Sequence, residues 1–66
     1  MTYAILERSP FGRTSIRQTA PTFAEAVALA HDTYKMIDFE EDADHPGCAD
    51  FLTTGGVVLS IEPVEA

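Results

Sequence analysis

Pro21-Thr22-Phe23-Ala24-Glu25-Ala26-Val27-Ala28-Leu29-Ala30-His31-Asp32-Thr33-Tyr34-Lys35-Met36-Ile37 is the stretch on which the fold turns. Its spacing predicts the one long helix of the chain. Thr22 and Glu25 form a capping-box pair: the Thr22 hydroxyl can accept the Glu25 amide proton, and the Glu25 carboxylate can reach back to the Thr22 amide. Pro21 cannot continue a helix backwards. Phe23, Ala26, Val27, Ala30, Tyr34 and Ile37 then recur at spacings of three and four, which stacks them on one face. Alanines at 24, 26, 28 and 30 favour helix without adding bulk. Leu29 and Met36 fall off that stripe, among Glu25, Asp32 and Lys35. The helix is therefore expected to bury apolar surface on more than one side. Its far end has no glycine cap. Asp38-Phe39-Glu40-Glu41-Asp42 can extend the pattern, but carboxylates at a helix C-terminus oppose the macrodipole, so the helix is expected to fray between Asp38 and Glu41.

Outward from this helix, the remaining apolar segments read as strands. Thr2 to Arg8 alternates, with Tyr3, Ile5 and Glu7 on one side and Ala4, Leu6 and Arg8 on the other. It is apolar on both faces, which suits a central position. Ser9-Pro10-Phe11-Gly12 has turn chemistry. Arg13 to Thr19 is the returning strand. Ile16 is its one large apolar residue, with Thr14 and Gln18 expected on the same face, and so polar a strand belongs at an edge. Ala43 to Gly47 is expected as loop. Cys48 to Thr53 permits a strand or one helical turn, and the strand is the expectation. Thr54-Gly55-Gly56 supports a tight hairpin turn. Val57 to Glu62 is the clearest strand, with Val57, Leu59 and Ile61 toward the core and Val58, Ser60 and Glu62 outward. Pro63 is expected to end it, leaving Val64-Glu65-Ala66 as a tail.

The order predicts an α+β fold: a two-layer ββαββ arrangement in which one helix crosses one face of an antiparallel-rich sheet of three to four strands. Val57–Glu62 is expected beside Thr2–Arg8 in the middle, with Arg13–Thr19 and Cys48–Thr53 at the edges. The layout is a short hairpin, a Thr-x-x-Glu-capped alanine-rich helix and a final Val57-Val58-Leu59-Ser60-Ile61-Glu62-Pro63 strand. It is similar to that of many small bacterial proteins, a likeness of architecture that implies no activity.

Residues 1–66 read as a single small domain. Hydrophobic residues make 45% and charged residues 23%, which is too apolar for a disordered chain. A chain this short buries only about 60% of its unfolded surface, so its core needs support. Cys48 is the single cysteine, which excludes an internal disulfide and favours a reducing, cytoplasmic setting. Homodimerisation is then the expected support. No apolar run approaches the length of a membrane span, and Met1 to Glu7 lacks the basic and apolar regions of a signal peptide.

The net charge is −7, unevenly spread. Residues 1–21 hold Arg8, Arg13 and Arg17 against Glu7, a balance of +2, and residues 22–66 hold ten carboxylates against Lys35, a balance of −9. Direct binding to nucleic acid requires a basic surface, which the chain lacks. The simplest use of such charge is solubility. A sharper use pairs the arginine hairpin with the acidic loop, within one subunit or across a dimer.

Asp38 to Asp50 holds six carboxylates, a histidine and the cysteine within thirteen residues. An EF-hand register starting at Asp42 fails, with Pro46 at its fifth position and Thr53 at its twelfth. A looser metal site is chemically open to Asp42, Asp44, His45, Cys48 and Asp50, since zinc accepts thiolate, imidazole and carboxylate. Structural zinc sites hold more cysteine and histidine than this, and a solvated acidic loop is the simpler reading. A His45–Cys48 catalytic pair is disfavoured because neighbouring carboxylates raise a thiol pKa. His31, Tyr3 and Tyr34 are expected to be packing residues. No phosphate loop, Ser-His-Asp arrangement or basic aromatic surface is present.

These features point to a non-enzymatic, cytoplasmic interaction module that self-associates and needs no cofactor. Its expected contact surface is Leu29, Met36 and Phe39. One alternative is an acidic decoy for a basic nucleic-acid-binding surface. Another is a metal-binding protein built on residues 38–50.

Overall fold

Five strands and one helix make up the structure, a computed structural model that describes residues 2–8 and 11–64. In chain order they are β1 (Thr2–Arg8), β2 (Thr14–Ala20), α1 (Phe23–Asp32), β3 (Met36–Glu41), β4 (Ala49–Thr53) and β5 (Val58–Val64). The sheet order is β2-β1-β5-β4-β3, and every neighbouring pair is antiparallel. The α+β class and the helix on an antiparallel sheet are as expected. The turn at Ser9 and Pro10 and the tail at Glu65 and Ala66 lie outside the described residues.

The sheet has five strands rather than three or four, and the order is ββαβββ. The extra strand comes from the far end of the expected helix. α1 begins as its cap predicts, with the Glu25 amide donating to Thr22 Oγ1 at 3.1 Å. It stops at Asp32, where the Thr33 and Tyr34 amides both bond the Leu29 carbonyl, at 2.8 and 3.3 Å. Lys35 then takes a left-handed conformation, φ 54°, which turns the chain out of the helix axis and into β3. Met36 and Ile37 therefore belong to a strand. The physical reason is local: Thr33, Tyr34, Ile37 and Phe39 are β-branched or aromatic, and the carboxylates from Asp38 onward disfavour a helix C-terminus.

β3 takes the edge position, so β4 is interior rather than an edge. β1 and β5 lie side by side near the middle, as expected, and β2 is the other edge. β5 continues through Pro63, which lies opposite Tyr3, to Val64. Val57 precedes the strand and is exposed.

Ile5, Phe51, Leu59 and Ile61 on the sheet pack with Ala20 and with Ala26 and Ala30 of α1, all of them buried. The small alanines let the helix lie close to the sheet. Phe23 and Val27 flank them, and the Phe23 ring meets Tyr3 edge-on at 5.7 Å. Tyr34 follows the helix yet still packs toward Phe51, with ring centroids 6.5 Å apart. Burying each large side chain stabilises by about 1.5–3 kcal/mol, so this single layer carries the domain.

Both edge strands are bulged. In the β1–β2 pair, Ile5 faces Gln18 but Leu6 faces Ile16, so Arg17 is an extra residue. Consequently Ile16 and Gln18 turn to opposite faces, not the same one. Gln18 points toward the helix, where its Oε1 accepts from the Tyr34 hydroxyl at 3.3 Å. Ile16 lies on the uncovered side, 60% exposed. In the β3–β4 pair Met36 faces Thr53 and Asp38 faces Leu52, which leaves Ile37 as the bulged residue, exposed.

Candidate functional site

The acidic segment folds into an ordered connection between β3 and β4. The Asp42 amide donates to the Cys48 carbonyl at 2.9 Å, and the Cys48 amide to the His45 carbonyl at 3.0 Å. Asp42 organises the turn with its side chain as well. Its Oδ1 accepts from the Asp44 amide at 3.0 Å, and its Oδ2 lies 3.0 Å from His45 Nδ1. Those bonds hold the Asp42 carboxyl below its ordinary value, the Asp44 amide contributing most. Gly47 closes the loop at φ 86°, where a side-chain carbon would stand 3.0 Å from the Tyr3 ring. A side chain there would strain the backbone and press on the Tyr3 ring, so glycine suits the position.

Asp42, His45, Cys48 and Asp50 line one cleft of about 360 Å³ together with Arg8 and Glu62. Asp44 is not among its lining residues. Within the cleft, the Cys48 thiol is pushed above its ordinary value, first by burial and then by Glu62, Asp42 and Asp50, with Arg8 acting weakly the other way. Such an environment disfavours the thiolate that a nucleophile or a metal ligand requires. Asp42 and His45 already bond each other, and Asp50 accepts from the Ser60 hydroxyl at 2.7 Å. Among the described residues no group of three or more His, Cys, Asp or Glu side chains is placed to hold a metal ion.

The expected contact residues divide between the two edges of the sheet. Leu29, half-buried, lines a groove with Ala20, Pro21 and Ala28 beside β2. Met36 and Phe39 are on β3 at the opposite edge, half-buried against the domain's own core. They do not combine into one helix side.

Among the described residues no element covers the sheet face away from α1. Alternation along the strands, with the two registers, assigns its side chains. One cross-strand row is Ile16, Leu6, Ser60, Asp50 and Glu40. The adjoining row includes Val58, Leu52 and Asp38. Ile16 and Val58 are 60% and 58% exposed, and Leu52 is half-buried. Leu6 is buried although no helix covers it. Arg8 lies beyond it on the same face and bonds Glu62, so the Arg8 stem runs back over Leu6. Arg17 pairs with Glu7 on the helix side. Sequence reasoning left this face unassigned. The outward pointing of Val58 was readable from alternation, but the placing of Ile16 on the same face depends on the bulge at Arg17.

No helix among the described residues is long and apolar enough to cross a membrane. Compared with known proteins, the chain matches no family model, no curated protein and no solved structure.

Proposed function

We propose that the protein is a non-enzymatic interaction module whose working surface is the uncovered face of its sheet. The observation that carries this reading is the exposure of Ile16 and Val58 on that face, with Leu52 beside Val58. A two-layer domain leaves one sheet face without a lid, and polar residues normally occupy it. Large aliphatic residues there contribute little to the core, and their exposure on one face supports a docking role. A Cys48 thiol pushed up by burial and nearby carboxylates, and a His45 ring already bonded to Asp42, support a non-enzymatic role. The free thiol suits a reducing compartment such as the cytoplasm. The expected contact residues Leu29, Met36 and Phe39 are half-buried against the domain's own core, so the reading rests on the sheet face instead.

Site-specific photocrosslinking tests the surface. A benzophenone side chain at Val58 is expected to trap a protein in the native cell, whereas the same group at Ala24, exposed on the helix, traps none. Equal yields from both positions, or none from either, would remove the reading.

A further inference from the structure

The uncovered face carries charge as well as apolar surface, and the two are arranged side by side. Glu40 lies directly opposite Asp50, and Asp38, two residues from Glu40 on the same strand, lies opposite Leu52. Like charges directly opposite across a sheet are destabilising, so the fold retains a small penalty at this edge. Among the described residues no lysine, arginine or histidine bonds Asp38 or Glu40. The chain has only four lysines and arginines to offer. Arg8 and Arg17 are engaged with Glu62 and Glu7, and Arg13 has an interaction of its own. A second copy of the chain would therefore bring to this face Asp38, Glu40, Asp50 and Glu62 against Arg8 alone, and Arg8 is already bonded to Glu62.

We propose that the uncovered sheet face binds a basic amphipathic helix of another protein, its apolar residues on Ile16, Leu52 and Val58 and its lysines or arginines on Asp38, Glu40 and Asp50. This rests on the interaction reading above and names the partner's chemistry. Cationic side chains relieve the Glu40–Asp50 opposition, and an aliphatic stripe covers the surface that water now meets. A helix suits the site better than an added strand. Strand addition needs a regular free edge, and both edges, β2 and β3, are interrupted by bulges. Five strands at about 4.8 Å spacing span about 19 Å. A helix of about 18 residues, about 27 Å long, crosses this width and matches the 28 Å longest dimension of the domain.

The probe is a synthetic peptide of about that length with leucine on one helical stripe and lysine on the next. Two controls accompany it: the same peptide with glutamate for lysine, and a non-amphipathic permutation of the original. Binding is followed by amide chemical shifts and calorimetry. The lysine peptide is expected to shift the signals of Ile16 on β2 and of β3, β4 and β5, and to weaken at high salt, while neither control binds. Val58→Glu and Glu40→Lys should each weaken it about tenfold or more, a loss of about 1.4 kcal/mol or more. Asp32→Lys makes the same change in net charge on the helix, and should leave affinity within about twofold. Equal losses from Glu40→Lys and Asp32→Lys, or shifts confined to the helix side, would overturn the proposal. Light scattering separates this failure from that of the interaction reading. A dimer broken by Val58→Glu would keep the surface and make its occupant a second copy, sinking the basic partner. A monomer that binds no peptide and gives no crosslink at Val58 would remove both.

Discussion

Asp42 shows how one side chain decides whether an acidic run becomes a loop or a site. Its two carboxylate oxygens serve the Asp44 amide and the His45 ring, so the residue closes its own turn. Because those partners favour the ionised form, the folded-state carboxyl titrates below its ordinary value. The resulting stability is present above the ordinary carboxylate range and is lost as pH falls through the folded value. Asp42→Asn keeps an oxygen for the Asp44 amide and removes the charge. Its melting temperature is therefore expected to be slightly lower than the wild type's near neutral pH, and to fall less steeply on acidification. Parallel melting curves from neutral to strongly acidic pH would show that the charge does not contribute. Cys48 answers to the same surroundings with the opposite sign. Burial and the nearby carboxylates favour the neutral thiol, so its contribution is present below the ordinary thiol range and lost as pH rises beyond it.

At the scale of elements, α1 is set by its start and β3 by the failure of α1 to continue. The Thr22 cap is a single hydrogen bond at the helix entry, and its first turn is largely exposed. Thr22→Ala is expected to destabilise the domain by about 1 kcal/mol without altering the fold, measured by urea unfolding at constant m-value. A change below a few tenths of a kcal/mol would mean that packing of Ala26 and Ala30 alone holds the helix. The exit is different in kind. Lys35 adopts positive φ without being glycine, and its carbonyl accepts from the Thr54 amide at 3.1 Å. That bond joins the helix exit to the β4–β5 turn, a partner distant in sequence. The hairpin itself is closed locally, by Thr53, whose hydroxyl donates to the Val57 carbonyl at 3.1 Å.

For the whole molecule, one apolar layer between α1 and the sheet carries the stability. A domain of this length is expected to be stable by about 3–10 kcal/mol. Phe51 sits at the centre of that layer, 2% exposed, on the interior strand β4. Phe51→Ala should cost about 3–5 kcal/mol and bring the protein to the limit of cooperative unfolding. Calorimetry would show a broadened or missing transition, and a sharp transition near the wild-type temperature would contradict the assignment of the core. The two cross-strand ion pairs, Arg8–Glu62 and Arg17–Glu7, are partly exposed and contribute little by comparison. Their larger consequence is to engage two of the chain's few cations inside the subunit. Among the described residues, no ion pair joins Asp38 or Glu40 at the β3 edge to a cation.

The expected union of an arginine hairpin with an acidic loop is met only in part. Arg8 reaches the cleft that Asp42 and Cys48 line, but it bonds Glu62 of the neighbouring strand. Periodicity made the helix start, β1, β5 and the α+β class legible, because capping and alternation act over two to four residues. Thr33 to Glu41 was not legible in the same way. Tyr34 and Ile37 satisfy helical spacing as well as they satisfy a strand, and no glycine marks the exit. The bulges at Arg17 and Ile37 were equally hidden, since each needs its partner strand to define it. The sequence by itself determined the helix start, the alternating strands and the excess of carboxylates over cations. Tertiary pairing alone decided that Met36–Glu41 takes the edge beside β4, that Ile16 joins Val58 on the uncovered face, and that Glu40 stands opposite Asp50. Those are long-range register choices, made when β3 docks on β4 and β2 on β1, and no local pattern encodes them.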